Sequence, residues 1–129
     1  MQRQDVFDGT EATQAYARAV RVGPHVHVSG TTSADTEGRV VGDDLYAQSK
    51  ETYRKIATVL DKAGAGLVDV VRIVAYATDI GDPDGFNRAT IEAFEGTGVR
   101  PAATLVEITA LYKPEMLVEI EAYAIVSGE

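Results

Sequence analysis

The chain has 129 residues, 12 of them basic and 20 acidic, and a formal net charge of −8 at pH 7. This length fits one domain spanning residues 1–129, and 45% hydrophobic with 25% charged residues is typical of a globular protein. Nucleic acid is an unfavourable partner for such a chain, because phosphate binding depends on clustered Lys and Arg.

Cysteine and histidine usage limits the chemistry further. The chain has no cysteine, which excludes disulfides, thiolate metal ligands and a cysteine nucleophile. Its two histidines, His25 and His27, lie two residues apart with no cluster of acids beside them. Because a metal ion usually needs three or four convergent ligands, this pair predicts a solvated or interface strand face. We therefore expect no metal ion and no other cofactor.

The sequence also carries no sign of a membrane segment. Residues 1–8 lack the apolar core of a signal peptide, and no run approaches the ~18 apolar residues of a membrane span. These features predict a cytoplasmic protein without a membrane partner.

The first half of the chain predicts a hairpin. After a polar lead-in that ends near Thr13, residues 16–22 predict a strand and Gly23-Pro24 a turn. His25–Thr31 alternates polar and apolar positions, as expected of the second strand of the hairpin. Residues 39–41 are a candidate for a further short strand.

A first helix is predicted over residues 45–63. Asp43 or Asp44 is a suitable N-cap, since a short acidic side chain there accepts a backbone N–H. Apolar or small residues recur at helical spacing, namely Leu45, Ser49, Thr52, Tyr53, Ile56, Val59, Leu60 and Ala63. Gly64 and Gly66 end the helix, and the β-branched residues 70–78 predict a central strand that is covered on both sides.

A second helix is predicted to begin at Asp82-Pro83, where an N-cap precedes a proline at the first helical position. It extends to about Glu95, and residues 96–98 end it with two glycines. Its expected inner stripe contains Phe86, Ala89, Thr90, Ala93 and Phe94.

The last third of the chain contains two β-rich runs, residues 100–109 and 116–126. Because only a short segment separates them, we expect neighbouring antiparallel strands. In the second run alternate residues share a face: Glu119, Glu121 and Tyr123 on one side, and Val118, Ile120, Ala122 and Ala124 on the other. A solvated outer face accounts for Glu121 without any function. Glu119 is the stronger candidate, because an acid that faces an interface must be partnered or functional.

Together these elements predict a two-layer α+β fold, with two helices packed on one face of a mixed sheet. The opposite face of the sheet would remain uncovered and would hold at least Tyr123, Leu117 and Leu105. Neighbouring subunits are a plausible cover for it.

Several motifs resemble those of one known family. The closing signature is Arg100-Pro-Ala-x-Thr-x-Val followed by Leu117-Val-Glu-Ile-Glu-Ala122, and upstream matches are Gly23-Pro24, Val28-Ser-Gly-Thr31, Gln48, Val70-Val-Arg72, Thr78-Asp79 and Glu92-Ala-Phe94. This set, which covers most of the chain, resembles the Rid family, the YjgF-type reactive intermediate deaminases.

The resemblance implies the fold shared with one class of chorismate mutase, assembled as a homotrimer. It also implies a small-molecule site in the clefts between subunits, where imines such as 2-iminopropionate are hydrolysed. In such a site Glu119 matches the acid that positions or activates water, Tyr16 matches a second catalytic group, and Ser29 and Gly30 help to line the cleft. Further substrate-binding positions are Thr31, Thr104 and Leu105.

Two departures affect this assignment. Archetypal members have an Arg immediately after the Pro-Ala pair, which grips the substrate carboxylate, whereas this chain has Ala103 there. A family Asn on the second helix is replaced by Arg88, which is a candidate substitute for the missing Arg, with Arg18 and Arg72 as less favoured alternatives. Hydrogen bonds to a charged group contribute roughly 1.5–3 kcal/mol, so a substrate held chiefly by its carboxylate should be lost.

Two functions from different classes remain open. The first is a hydrolase of imines or enamines whose substrate is not a simple 2-imino acid, with Glu119 and a bound water in general acid–base roles. The second is a trimeric protein that binds a small metabolite without turnover. A ribonuclease function ranks well behind both, because the net charge is negative and no basic groove is indicated.

Overall fold

The computed structural model describes residues 2–9, 15–81 and 83–127. In these ranges the elements are β1 (Arg3–Val6), β2 (Ala19–Val22), β3 (His25–Thr31), α1 (Leu45–Lys62), a 3-10 turn (Leu67–Asp69), β4 (Val70–Ala77), α2 (Pro83–Phe94), β5 (Ala102–Glu107) and β6 (Val118–Ile125). The strands form one sheet in the order β1-β2-β3-β6-β4-β5. All neighbours are antiparallel except the β4–β5 pair. The predicted mixed sheet with two helices is confirmed.

The core lies between the helices and one face of the sheet. On β6 the buried residues alternate with half-buried ones, which confirms the predicted division into a core face with Ile120 and an outer face with Glu119 and Glu121. Ile56 and Leu60 of α1 are fully buried in the same hydrophobic cluster as Ile120. The outer face of the sheet therefore carries the acids, and no helix within the described ranges covers it.

Helix α1 begins as the sequence predicts. The Asp44 side chain accepts a hydrogen bond from the backbone N–H of Ala47 at 2.8 Å, which identifies Asp44 as the N-cap. Gly64 follows the last turn with φ +78, a left-handed conformation that glycine adopts without steric cost. Helix α2 begins at Pro83. The predicted N-cap of α2, Asp82, lies outside the described residues.

The N-terminal segment was predicted wrongly. The residues up to about Thr13 were predicted to be a polar lead-in. Instead, Arg3–Val6 forms β1 at the edge of the sheet and pairs with β2. Of its residues only Val6 is buried, so the apolar alternation that identifies a strand is absent. The following strand also begins later than predicted, at Ala19, so that Tyr16 precedes it.

The pairing of the last two strands was also predicted wrongly. β5 and β6 are not neighbours, because β4 lies between them and pairs with both. Helix α2 supplies a crossover connection that lets β5 join β4 in parallel, whereas the chain after β5 returns past β4 to β6. The register aligns Ala75 with Leu105.

This register changes the expected composition of the outer face. Leu105 lies on the helix side with the buried Ala75, and both Leu105 and Leu117 pack against the core cluster. Of the three residues assigned to the outer face, Tyr123 remains there. Two smaller expectations also differ: β4 is covered by helices on one face only, and residues 39–41 contribute a single bridge between Ala34 and Val40.

No helix among the described residues is both long and apolar enough to cross a membrane.

Candidate functional site

A β-bulge in β3 is the centre of the candidate site. Val28 is aligned with Ala122 and Thr31 with Ile120, so three steps along β3 match two steps along β6. The extra residue falls at Ser29-Gly30, the pair that the sequence singled out. Bulges bend a strand locally and are frequent beside active sites, because they redirect side chains and interrupt the pairing.

Gly30 allows the carboxylate of Glu119 to lie directly against the bulge. A Cβ placed on Gly30 would overlap Glu119 Oε2 and would stand 2.9 Å from Glu119 Cδ. The backbone of Gly30 is not in the left-handed region. Glycine is therefore required here by the space that the carboxylate occupies and not by backbone conformation.

Glu119 is a half-buried acid with an altered titration. Burial raises its pKa above the ordinary value for Glu, the Arg18 guanidinium acts in the opposite direction, and the neighbouring Glu121 adds to the rise. Among the residues that the structure describes, none forms a hydrogen bond or ion pair with the Glu119 carboxylate. An enclosed acid without a partner among the described residues is available to a ligand or a water molecule.

Arg18 lies beneath the same bulge and was not singled out by the sequence as a main site residue. Its Nη2 donates to the Gly30 carbonyl at 2.8 Å and to Thr31 Oγ1 at 3.0 Å. Only 7% of the residue is exposed, and its Nε lies 4.0 Å from Asp8 Oδ2. An Arg just before a strand is usually solvated, so the sequence offered no signal for this buried position.

The other predicted residues of this half of the site support the bulge. Ser29 Oγ donates to the Ala17 carbonyl at 2.7 Å, and Thr31 Oγ1 donates to the Ser29 carbonyl at 2.8 Å. Tyr16 precedes Ala17 and is 55% exposed. Its proximity to Glu119, and hence its catalytic role, remains a prediction.

Gln48 fixes the start of β6. Its buried side chain donates to the carbonyls of Gly42 at 3.1 Å and Glu115 at 2.9 Å, and accepts from the N–H of Leu117 at 2.8 Å. Leu117 is two residues before Glu119, so this buried amide holds the strand from which Glu119 projects.

Ala103 lies apart from this half-site within the chain. Its neighbour across the parallel pair is the buried Ile73, so Ala103 is on the helix side of the sheet, whereas Glu119 is on the outer side. β4 also separates their strands. Thr104 is on the outer side, where its Oγ1 accepts from Arg72 Nη2 at 2.8 Å. One copy of the chain therefore does not bring position 103 and Glu119 together.

Arg88 lies on the outer surface of the two helices. Its guanidinium stacks 3.9 Å from the centre of the Tyr46 ring. Glu92, which accepts from the Tyr46 hydroxyl and pairs with Lys50 at 3.1 Å, completes this cluster between α1 and α2. These contacts engage Arg88 away from Glu119 in the same chain, and its proposed contact with a carboxylate ligand stays a prediction.

The outer face holds a second group of polar side chains. A cavity of about 440 Å³ is lined by Val20, His27, Val28, Ser29, Arg72, Val74, Glu121, Ala122 and Tyr123. Tyr123 hydrogen-bonds His25 Nδ1 at 2.5 Å and packs against the His27 ring, and Glu121 accepts from the Tyr76 hydroxyl at 3.0 Å. Glu121 is therefore partnered, in contrast to Glu119.

A larger cavity of about 610 Å³ lies at the end of α2 and the loop to β5. Its lining residues run from Thr90 to Pro101 and include none of the candidate site residues. Glu119 is a lining residue of neither cavity. Chemistry nevertheless favours the half-site at the bulge, since no described residue pairs with the Glu119 carboxylate, whereas the charged lining of the larger cavity is Glu95 and Arg100.

Known proteins resemble the chain over most of its length. The model of the family described as Endoribonuclease L-PSP matches residues 8–126. A RutC family protein of Pyrococcus abyssi is 36% identical over 110 residues, which are 84% of this chain and 84% of that protein. A Salmonella typhimurium protein named 2-iminobutanoate/2-iminopropanoate deaminase is 31% identical over 112 residues, 85% of this chain and 86% of that protein.

Solved structures agree with these relatives. A Mycobacterium tuberculosis protein described as a member of the YjgF/YER057c/UK114 family is 42% identical with a TM-score of 0.85, covering 97% of this chain and 100% of that one. RidA from an Antarctic Psychrobacter is 27% identical with a TM-score of 0.83, covering 95% and 100% of the two chains. The chain therefore belongs to the YjgF/RidA family.

Proposed function

We propose that the protein is a RidA-like hydrolase of imines or enamines, with Glu119 as the catalytic acid–base group. The observation that carries this proposal is the half-buried Glu119 carboxylate, which lies against the bulge at Gly30 and has no partner in the part of the chain that the structure describes. Relatives about 30% identical are named deaminases of 2-imino acids. At that identity their substrates transfer to this chain only as a hypothesis.

The proposed reaction converts a C=N bond and water to a carbonyl compound and ammonia. The ionised Glu119 carboxylate removes a proton from water as the water oxygen attacks the imine carbon. The carboxyl gives that proton to the nitrogen, which produces a carbinolamine with an NH2 group. The carboxylate then takes the proton of the carbinolamine hydroxyl and passes it to the nitrogen, so that the C–N bond breaks, ammonia leaves and the carbonyl forms. Since burial raises the pKa of Glu119, the acidic limb of activity should lie above the ordinary value for Glu.

Ala103 defines the substrate range in this proposal. A methyl group supplies neither the charge nor the donors that an Arg offers to a carboxylate. Arg72 is bonded to Thr104, and Arg18 to Gly30 and Thr31, so neither guanidinium is free in the chain. We therefore expect substrates that do not depend on a carboxylate for binding.

The proposal includes a homotrimer with the site in its intersubunit clefts. Position 103 and Glu119 lie on opposite sides of the sheet in one chain, so only two copies would complete a cleft between them. Exposed apolar side chains on the outer face of the sheet, such as Val106 at 38% and Ile125 at 41%, favour burial against another copy. Light scattering at micromolar concentration should give three chain masses, and a clean monomer would remove the intersubunit cleft.

A matched pair of variants tests the chemistry. Ketimines made in situ from simple amines by an amine oxidase lack a carboxylate, and 2-iminopropanoate made from alanine by an amino acid oxidase carries one. The decay of each imine is followed with wild type, Glu119→Gln and Glu121→Gln. We expect wild type and Glu121→Gln to accelerate the decay of the carboxylate-free ketimine and to act on 2-iminopropanoate weakly or not at all. Glu119→Gln should lose about two orders of magnitude in the ketimine rate, the size typical of acid–base groups. Equal rates in the two variants would contradict the proposed role of Glu119.

The alternative is a trimeric protein that binds a small metabolite without turnover. The observation that favours it is Ala103, since the loss of a substrate-gripping Arg is compatible with a site that no longer catalyses. In that case calorimetry would detect ligand binding that depends on Glu119, while no imine in the panel would decay faster than in buffer.

A further inference from the structure

Arg18 is the most deeply buried charged residue near the candidate site. Its side chain is 9% exposed, and burying a guanidinium is unfavourable unless hydrogen bonds and an opposite charge compensate it. The hydrogen bonds go to the Gly30 carbonyl and Thr31 Oγ1, both within the bulge. Asp8 Oδ2 at 4.0 Å supplies a nearby negative charge.

These contacts connect Arg18 to Glu119 through Gly30. The carbonyl of Gly30 is held by Arg18, and the Cα of the same residue is the surface against which the Glu119 carboxylate lies. No direct ion pair joins Arg18 and Glu119 in the described structure. The cation can therefore influence Glu119 in two ways, by fixing the bulge and by its positive potential in a partly water-excluded place.

We propose that Arg18 is a positioning residue that keeps the Glu119 carboxylate ionised and in place against Gly30. This inference rests on the proposed function, because it assigns Arg18 a part in preparing the base of that reaction. Glu119 stays enclosed, which suits a general base, while the buried cation opposes the rise in its pKa that burial causes.

The other charged groups near the site either oppose the effect of Arg18 on the pKa of Glu119 or interact mainly with Arg18. On its own strand Glu121 disfavours a second negative charge, and on β4 the aligned Tyr76 has its hydroxyl bonded to Glu121. On α1, Lys55 Nζ donates to the carbonyls of Thr32 at 2.7 Å and Ala34 at 2.6 Å. Burial and the repulsion from Arg18 lower the pKa of Lys55, so Lys55 senses Arg18 more than Glu119.

The test is an NMR titration of the Glu119 side-chain carboxyl carbon in the intact protein, with Glu119→Gln identifying its resonance. In Arg18→Gln we expect the midpoint to move to higher pH, because burial is then unopposed. Arg18→Lys, which keeps the charge, should restore a midpoint close to wild type. Lys55→Gln is the control for loss of a half-buried cation that interacts with Arg18, and it should leave the midpoint unchanged.

An unchanged midpoint in Arg18→Gln, or an equal shift in Lys55→Gln, would overturn the proposal. If Arg18→Gln does not fold, the Glu119 titration is measured in Asp8→Asn, for which the expected shift of the midpoint has the opposite sign. Removing the anion that opposes Arg18 should move the midpoint to lower pH, and a rise or no change would contradict the proposed role. The titration needs no turnover, so a failure to hydrolyse imines would refute the proposed function and leave this result standing.

Discussion

Gly30→Ala tests whether Glu119 works only in its place against the bulge. The new Cβ would overlap Oε2 and stand 2.9 Å from Cδ of Glu119, closer than real Cβ contacts. The carboxylate must therefore move by about 1 Å, and a displacement of that size near the reacting atoms costs about 10²-fold in rate, or about 2.7 kcal/mol. Because Glu119 is flexible at its far end, the fold should survive.

The free energy of unfolding of Gly30→Ala is expected to rise although its rate of imine hydrolysis falls. Gly30 is not in the left-handed region, so an alanine fits its backbone and reduces the entropy of the unfolded chain, with a gain of about 0.4–1 kcal/mol. Gly66→Ala is the matched control, since its Cβ would meet only Val68 Cγ1 at 4.0 Å and Gly66 has φ −148.

Imine hydrolysis and urea unfolding are measured on both variants. The expected pattern is a large loss of rate without loss of stability in Gly30→Ala, and near-normal values of both in Gly66→Ala. Full activity in Gly30→Ala would refute the reasoning that ties catalysis to the position of the carboxylate.

Ala103→Arg should raise hydrolysis of 2-iminopropanoate by about one to two orders of magnitude, measured as imine decay, because a charge-assisted contact is regained; no gain would show that position 103 does not meet the substrate. If Arg88 grips carboxylates, the wild-type protein will hydrolyse 2-iminopropanoate and Arg88→Ala will lose most of that activity, whereas an active protein unaffected by either change would contradict the role given to the missing Arg. In Glu119→Gln the free energy of unfolding should rise at neutral pH, because the pKa of Glu119 is raised in the folded state and its ionisation therefore destabilises the fold above the ordinary Glu pKa. Urea unfolding at a pH below that ordinary pKa should show no gain.

The sequence was sufficient to predict the layers of the fold. Strict alternation on β6 separated Ile120 from Glu119, and an Asp44 cap with Gly64 at the other end bounded α1. These signals are local, because burial on one face and a satisfied helix end leave periodic or capping residues in the chain.

Strand order was not predictable in the same way. β5 pairs with β4 because α2 carries the chain across the sheet. Residues 100–109 contain no local signal that identifies their neighbouring strand. The edge strand β1 has one buried residue, Val6, and an edge strand of polar residues resembles a loop. Contacts between distant segments decided both cases.

The candidate site was predicted in part. Ser29, Gly30 and Glu119 were identified through motifs, and the structure places Gly30 against Glu119. Arg18 was named only as a minor substitute for the missing Arg, and its buried position was not predicted, because that burial depends on Asp8 and on the bulge in β3, which no local pattern indicates. Its contacts with Gly30 and Thr31 follow from the tertiary arrangement of the strands and not from local sequence.

A crystal structure of the protein with a non-hydrolysable imine analogue tests most directly whether the Glu119 half-site is where substrates react. We predict that the analogue lies in a cleft between two copies, with its C=N mimic or a bound water within hydrogen-bond reach of the Glu119 carboxylate, roughly 2.6–3.2 Å. An analogue bound in the larger cavity at the end of α2, with Glu119 facing only bulk solvent, would contradict the assignment of this site.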